Sequence, residues 1–408
     1  MATYESYKDS GVKWLGQIPS HWDTGKMREF FSERKQLSQD GSEMLLSVSE
    51  YSGITPSTND AGENVSRSAS LVGYKKCKAS DLIINIMLAW KRGLGISEYD
   101  GIVSPAYCVF GTQNINPRYA NYLLRTDLYT AEFKRSSTGI IESRLRMYPD
   151  DFKNIVCIKP PRNEQEAIVV YLDKVTGDID RAIEAQQKMI DALNERKQII
   201  ITRAVTRGLN PEATLRDSGI DWLGQIPEHW ETRKIKYFAR LKSGKNVTSE
   251  QITPENQENL FPVFGGNGLR GYFSKYNTDG EFAIIGRQGA LCGNINYAVG
   301  QFWATDHAVV CTPIIDYPLL WFGETLKVAN LNQYATQSAQ PGLSVERVKN
   351  VSLPCPPKDE MVSIADYIQK IISDYSPALT QCEHMISMLQ ERKQIIINEV
   401  VTGKTKVI

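Results

Sequence analysis

Phe264-Gly-Gly-Asn-Gly268 fits the F-x-G-x-G pattern with which methyltransferase loops wrap S-adenosylmethionine. Small residues at that spacing let a backbone close tightly around a ligand. The same chemistry needs an N/D-P-P-F/Y tetrapeptide to grip a target adenine, and the chain has none. Pro160-Pro161 and Pro356-Pro357 follow Lys159 and Cys355 and precede Arg162 and Lys358. The glycines therefore read as a tight turn after a strand. Asp151-Phe-Lys153 offers a nuclease-like D-x-K fragment with no upstream acidic partner, and a structural role is expected. Gly403-Lys-Thr405 ends a phosphate loop that never begins, because Asn398 stands where its first glycine belongs. His21 and His229 each sit beside a tryptophan, and none of the seven cysteines is spaced C-x-x-C. Packing and capping, not a zinc cluster or disulfide framework, is the expected role of these residues. No catalytic residue and no metal site is assigned.

Side chains suited to phosphates and base edges are the remaining chemistry: Lys and Arg for phosphate, Arg for guanine, Asn and Gln for adenine. Clusters in polar or glycine-containing segments supply the candidates. They are Lys75-Lys76-Cys-Lys78, Lys91 with Arg92, Lys134 with Arg135, and Arg144 with Arg146, then Asn267, Arg270, Arg287, Gln288, Gln337 and Gln340. Overall charge does not single them out. Residues 31–158 hold 15 Lys/Arg against 14 Asp/Glu, and residues 239–354 hold 9 against 9. A solvated surface is the plain alternative for any one of them.

The elements that must position these groups are bounded by composition. The chain has 408 residues, enough for at least two cores, with 47 basic and 47 acidic side chains. That balance excludes a polycation coating nucleic acid, though not a local basic face. No apolar run approaches eighteen residues, and Met1-Ala-Thr-Tyr-Glu-Ser-Tyr-Lys lacks a signal-peptide core. A reduced, cytoplasmic protein without membrane association is expected.

An internal repeat organises the chain. DSGVKWLGQIPSHWDTGKMREF at 9–30 matches DSGIDWLGQIPEHWETRKIKYF at 217–238 in fourteen of twenty-two positions. PPRNEQEAIVVYLDK at 160–174 matches PPKDEMVSIADYIQK at 356–370, and ERKQIII recurs at 195–201 and 391–397. The offset falls from 208 to 196 between the blocks, and the intervening segments share almost nothing. Two like frames thus hold two unlike inserts. Trp14, Trp22, Trp222 and Trp230 read as anchors of the opening motif.

The closing motifs have helical spacing, with seam positions that include Ile179, Met189, Leu193 and Ile200 in one copy and Tyr375, Met385, Leu389 and Ile396 in the other. A short helix and then a long one are predicted in each copy. Thr176-Gly177 breaks the first and Ser376-Pro377 restarts the second. Matching seams predict an antiparallel intramolecular coiled coil. Runs such as Leu82-Ile-Ile-Asn-Ile-Met, Ala106-Tyr-Cys-Val-Phe, Phe282-Ala-Ile-Ile and His307-Ala-Val-Val-Cys predict buried strands, with helices near Pro117–Phe133 and Pro318–Asn332. The fold class is mixed α/β (α+β) with β-rich insert cores. The divisions are 1–158, a helical 159–208, 209–355 and a helical 356–408. Val205-Thr-Arg-Gly runs into the second opening motif, so joining the chain ends would restore the same connection and make the arrangement circular.

These motifs, DSG-x-x-WLGQIP-x-HW, PP-x-x-EQ-x-x-I-x-x-YLD and ERKQIII-x-x-x-VT-x-G, resemble those of the specificity subunits of type I restriction–modification systems. The resemblance covers essentially the whole chain and occurs twice. It implies two target-recognition domains, each reading half of a split site in double-stranded DNA. It further implies long helices that set the spacer and dock two modification subunits. Motor–nuclease restriction subunits would complete the complex, and S-adenosylmethionine, ATP and Mg would belong to the partners alone. A self-contained adenine methyltransferase or nuclease is the alternative. A helix over 178–206 would span about 43 Å at ~1.5 Å per residue, against about 34–36 Å for one turn of DNA.

Overall fold

The computed structural model describes residues 3–57, 71–289, 291–336 and 341–407. Short strands close each frame. Tyr7–Asp9 pairs antiparallel with Gln17–Pro19, and Asp23–Lys26 with Val156–Lys159. The second copy repeats both pairs, Leu215–Asp217 with Gln225–Pro227 and Glu231–Lys234 with Ser352–Cys355. Each insert therefore leaves and returns at one place, which is what lets unlike bodies share a frame.

The first body is a four-stranded antiparallel sheet in the order Phe31–Arg34, Tyr107–Thr112, Leu82–Asn85, Leu94–Ile96. Every residue of Leu82–Asn85 is buried, as its unbroken apolar run requires. Two helices, α1 (Pro117–Leu124) and α2 (Asp127–Ser136), stand where one was predicted. Thr126 Oγ1 accepts from the Tyr129 amide at 3.3 Å and so caps a new helix. Helix α3 (Pro149–Asn154) leads into the closing strand. Within it Lys153 bonds Glu33 at 3.0 Å and Asp150 at 3.4 Å, which ties the D-x-K lysine into the fold.

Helix α4 (Arg162–Arg207) is continuous, against the predicted break at Thr176-Gly177. Thr176 Oγ1 donates to the Leu172 carbonyl at 2.7 Å, so the hydroxyl is satisfied inside the helix and caps nothing. The second body is a six-stranded sheet in the order Ala239–Ser243, Ala308–Pro313, Thr278–Gly286, Ile295–Ala304, Phe261–Gly265, Gly268–Phe273. Its one parallel pair joins Phe261–Gly265 to Ile295–Ala304. Helix α5 (Leu319–Val328) and the short α6 (Val345–Lys349) follow. Helix α7 (Lys358–Val401) then runs unbroken through Pro377, which was predicted to start a helix. Ser373 and Pro377 are both exposed, so water can satisfy the carbonyl that loses its i+4 donor.

The chain forms two compact units, residues 1–186 with 384–408, and residues 187–383. Each long helix gives its N-terminal half to one unit and its C-terminal half to the other. In the first unit Ile168, Leu172 and Ile179 share a core with Leu389, Ile396, Ile397 and Val400. The half-helices there run antiparallel: Lys393 Nζ bonds the Asp180 carboxylate at 2.6 and 2.7 Å. In the second unit Ile200, Ile201, Ala204 and Val205 share a core with Ile364, Ile368, Ile371 and Tyr375. Each buried aliphatic side chain contributes about 1.5–3 kcal/mol, so packing stabilises these helices more than propensity does. Leu193 and Met385 are half-buried, whereas Met189 is half exposed and lies off the seam. Counted from Ile168 at ~3.6 residues per turn, the sixth turn falls between 189 and 190, and Ile190 is the more buried of the two.

Candidate nucleic-acid interface

One carboxylate fastens each frame. Glu164, in the first turn of α4, accepts from His21 Nε2 at 2.6 Å, Trp22 Nε1 at 2.9 Å and Tyr4 OH at 3.0 Å. Glu360, in the first turn of α7, accepts from His229 Nε2 at 2.6 Å and Trp230 Nε1 at 2.9 Å. The histidines serve this clamp, and Trp22 and Trp230 are fully buried by it. Both glutamates lie in the repeated PP-x-x-E block, so the repeat carried a signal for them that the sequence reading left unused. Burial pushes the Glu164 carboxyl up, but bonds from Trp22, His21 and Tyr4 outweigh it and leave the carboxyl below its ordinary value. The stability it gives is therefore present above the unfolded value of about 4.3 and is lost as pH falls through the lowered folded value. Glu164→Gln sets an amide N–H against a donor and is expected to cost about 1.5–3 kcal/mol at neutral pH. Denaturant unfolding at pH 7 and at about pH 3 checks this, since the variant should also lose this component of acid sensitivity.

On the first insert, the C-terminal turn of α2 carries Lys134 and Arg135, where a helix end favours cations. Lys91 Nζ stands 4.9 Å and Lys134 Nζ 5.1 Å from the Trp90 ring centre, so residues forty-three apart in sequence meet over one indole. Lys134 also pairs with Glu142 in the following loop. That loop is closed by reciprocal bonds between Thr138 and Arg146, both 2.9 Å, and tied down by Met147 N to Ile86 O at 2.8 Å. It carries Arg144, which is exposed and has no ion-pair partner among the described residues, and Arg146, whose guanidinium bonds the Leu145 carbonyl at 2.8 Å. Arg92 is turned to the fold, bonding the Arg125 carbonyl at 3.0 Å and pairing with Asp127. Arg135 is held by both Glu132 oxygens at 2.7 and 2.5 Å. Lys75 bonds the Tyr107 carbonyl at 2.5 Å, and Lys76 pairs with Glu43 at 2.5 Å. Trp90 and Glu142 escaped the sequence reading, although an aromatic directly before Lys91 and Arg92 was a usable sign.

On the second insert, Gly266 and Asn267 make the turn between Phe261–Gly265 and Gly268–Phe273, with Asn267 and Arg270 exposed. A Cβ on Gly286 would lie 2.0 Å from the Gly266 carbonyl oxygen, so no side chain fits where these segments cross. Arg287 N bonds the His307 carbonyl at 3.0 Å, and Leu343 N bonds the Arg287 carbonyl at 2.8 Å. The turn holding Asn267 thus lies beside Arg287 and Gln288, with half-exposed His307 next to them. Arg287 Nη1 is occupied by Ser243 Oγ at 3.1 Å. Gln337 and Gln340 lie outside the described residues. Among the described residues no group of His, Cys, Asp and Glu could hold a metal ion, and no helix is long and apolar enough to cross a membrane.

A frame used twice around two different sheets defines an internally duplicated protein. Residues 227–381 match the family described as the type I restriction modification DNA specificity domain. The specificity subunit of the type I restriction enzyme EcoprrI of Escherichia coli is 41% identical over 132 residues, which is 32% of this chain and 33% of that relative. The MjaVIII specificity subunit of Methanocaldococcus jannaschii is 22% identical over 98% of this chain and 97% of its own length. A chain solved in a study of complex assembly and conformational transition of the type I R-M system shares the fold. It has a TM-score of 0.64 at 16% identity and covers 94% of this chain and 98% of that one. The chain is thus similar to type I restriction–modification specificity subunits, over residues 227–381 by the family model and over 98% of its length by the MjaVIII relative.

Proposed function

We propose that this chain is the non-catalytic DNA-specificity subunit of a type I restriction–modification complex, with each insert reading one half of a bipartite double-stranded target. The observation that carries this reading is the doubled Trp–His–Glu clamp, which holds two different sheets in equivalent frames. Unlike readers on like mounts are what a split target requires. The continuous helices α4 and α7 set the length of unread DNA between the halves. Ile199 and Ile395, equivalent at the offset of 196, are both exposed on the closing motifs. Such a doubled apolar contact suits two copies of one partner, here the modification subunits. S-adenosylmethionine chemistry then belongs to those subunits, and ATP and Mg to motor–nuclease subunits. The chain's own share is recognition and spacing.

Selection from random duplexes by the chain assembled with modification subunits tests this. The expected product is two short fixed blocks separated by unread positions of constant number. One contiguous block, or no enrichment, would contradict it.

A further inference from the structure

The loop 138–146 of the first insert presents an apolar tip within a cationic surround. Ile140 is fully exposed and Ile141 half exposed, in a segment that is otherwise bonded internally. Thr138 and Arg146 close its base, and Arg144 N and Leu145 N bond the Ile141 and Glu142 carbonyls at 2.9 and 3.2 Å. Lys134 reaches the loop through Glu142, and Lys91 lies over the same Trp90 ring as Lys134. Lys91 also contributes to holding the Glu142 carboxyl below its ordinary value, after the larger effect of the Lys134 bond. Lys91, Lys134, Glu142 and Arg144 therefore occupy one neighbourhood around the tip.

A narrow loop, pinched at its base by the single Thr138–Arg146 bridge and tightened by a 3-10 turn at Glu142–Arg144, fits the major groove, which is about 12 Å wide. Cations flanking the tip suit the phosphates on either side of that groove. An aliphatic side chain has no hydrogen bond to offer a base, so the complementary feature on a base edge is the thymine methyl group. Resting on the reading of the first insert as a DNA reader, we propose that Ile140 is a specificity-determining residue that packs on a thymine methyl in the first half-site. Lys91, Lys134 and Arg144 hold the flanking phosphates. Glu142 lies against the lysines in the free protein and is displaced when phosphate arrives.

The test uses the full chain assembled with modification subunits and the duplex obtained by selection, with thymines of the first half-site replaced singly by uracil. One such replacement should weaken binding by the wild type about four-fold, the ~0.8 kcal/mol of one apolar carbon at ~1.4 kcal/mol per ten-fold. Ile140→Ala, at a fully exposed position that leaves the core untouched, should bind the thymine duplex several-fold more weakly and be indifferent to that uracil. Sensitivity to uracil that persists in Ile140→Ala, or its absence in the wild type, overturns the assignment. Lys91→Gln/Lys134→Gln/Arg144→Gln separates the two levels. If it weakens binding and flattens the salt dependence while Ile140→Ala has no effect, the tip assignment alone falls. If neither variant changes binding, the first insert is not a DNA reader and both readings fall.

Discussion

Gly403→Ala is expected to destabilise the first unit by about 2–5 kcal/mol, more than the equivalent Gly208→Ala destabilises the second. Both glycines end a long helix in the left-handed region, at φ +75 and +73, where an L side chain costs about 1–2 kcal/mol. The surroundings differ. A Cβ on Gly403 would lie 2.4 Å from Pro19 Cδ and 2.9 Å from Trp22 Cζ3, whereas one on Gly208 would lie 3.1 Å from Trp230 Cζ2. The Pro19 ring is rigid and Trp22 is fully buried and bonded to Glu164, so overpacking adds about 1–3 kcal/mol at Gly403. Denaturant unfolding of the two variants, followed by tryptophan fluorescence, checks the order. Equal losses would show that contact of the closing glycine with the opening motif contributes little.

Four residues inserted after Gln187, inside α4 and next to the point where the units divide, should move the methylated target to a spacer longer by one or two base pairs. The insertion adds about 6 Å at ~1.5 Å per residue, against ~3.4 Å per base-pair step. The half-site letters should not change, since both inserts and both Glu clamps remain intact. Assembly should weaken, because four residues shift a 3.5-residue seam by about half a residue. Sequencing of methylated motifs in cells carrying the insertion with modification subunits reads the spacer directly. An unchanged spacer at full activity would show that α4 does not set it.

The frame was legible because it is written twice. The repeat disclosed the paired opening and closing blocks, and the apolar runs at Leu82 and His307 disclosed sheet strands. The unbroken helices were not legible, because Thr176-Gly177 and Ser376-Pro377 resemble caps until packing is known. Tertiary burial of Leu172 and Ile179 on one side, and of Ile368 and Ile371 on the other, overrides that local signal. Seam phase failed at Met189 for a related reason, since small errors in periodicity accumulate over six turns. The surface residues were least legible. Whether Arg92 faces solvent or Asp127, and whether Lys134 meets Lys91, depends on contacts between segments far apart in sequence. Composition carries no record of such contacts.

The central claim is that each insert reads its own half of one split target. Replacing residues 31–152 with the matching insert of a related specificity subunit, followed by methylome sequencing with modification subunits present, tests it most directly. One half-site is expected to change to new letters while the other half keeps its letters. A change in both halves together, or in neither, would contradict it.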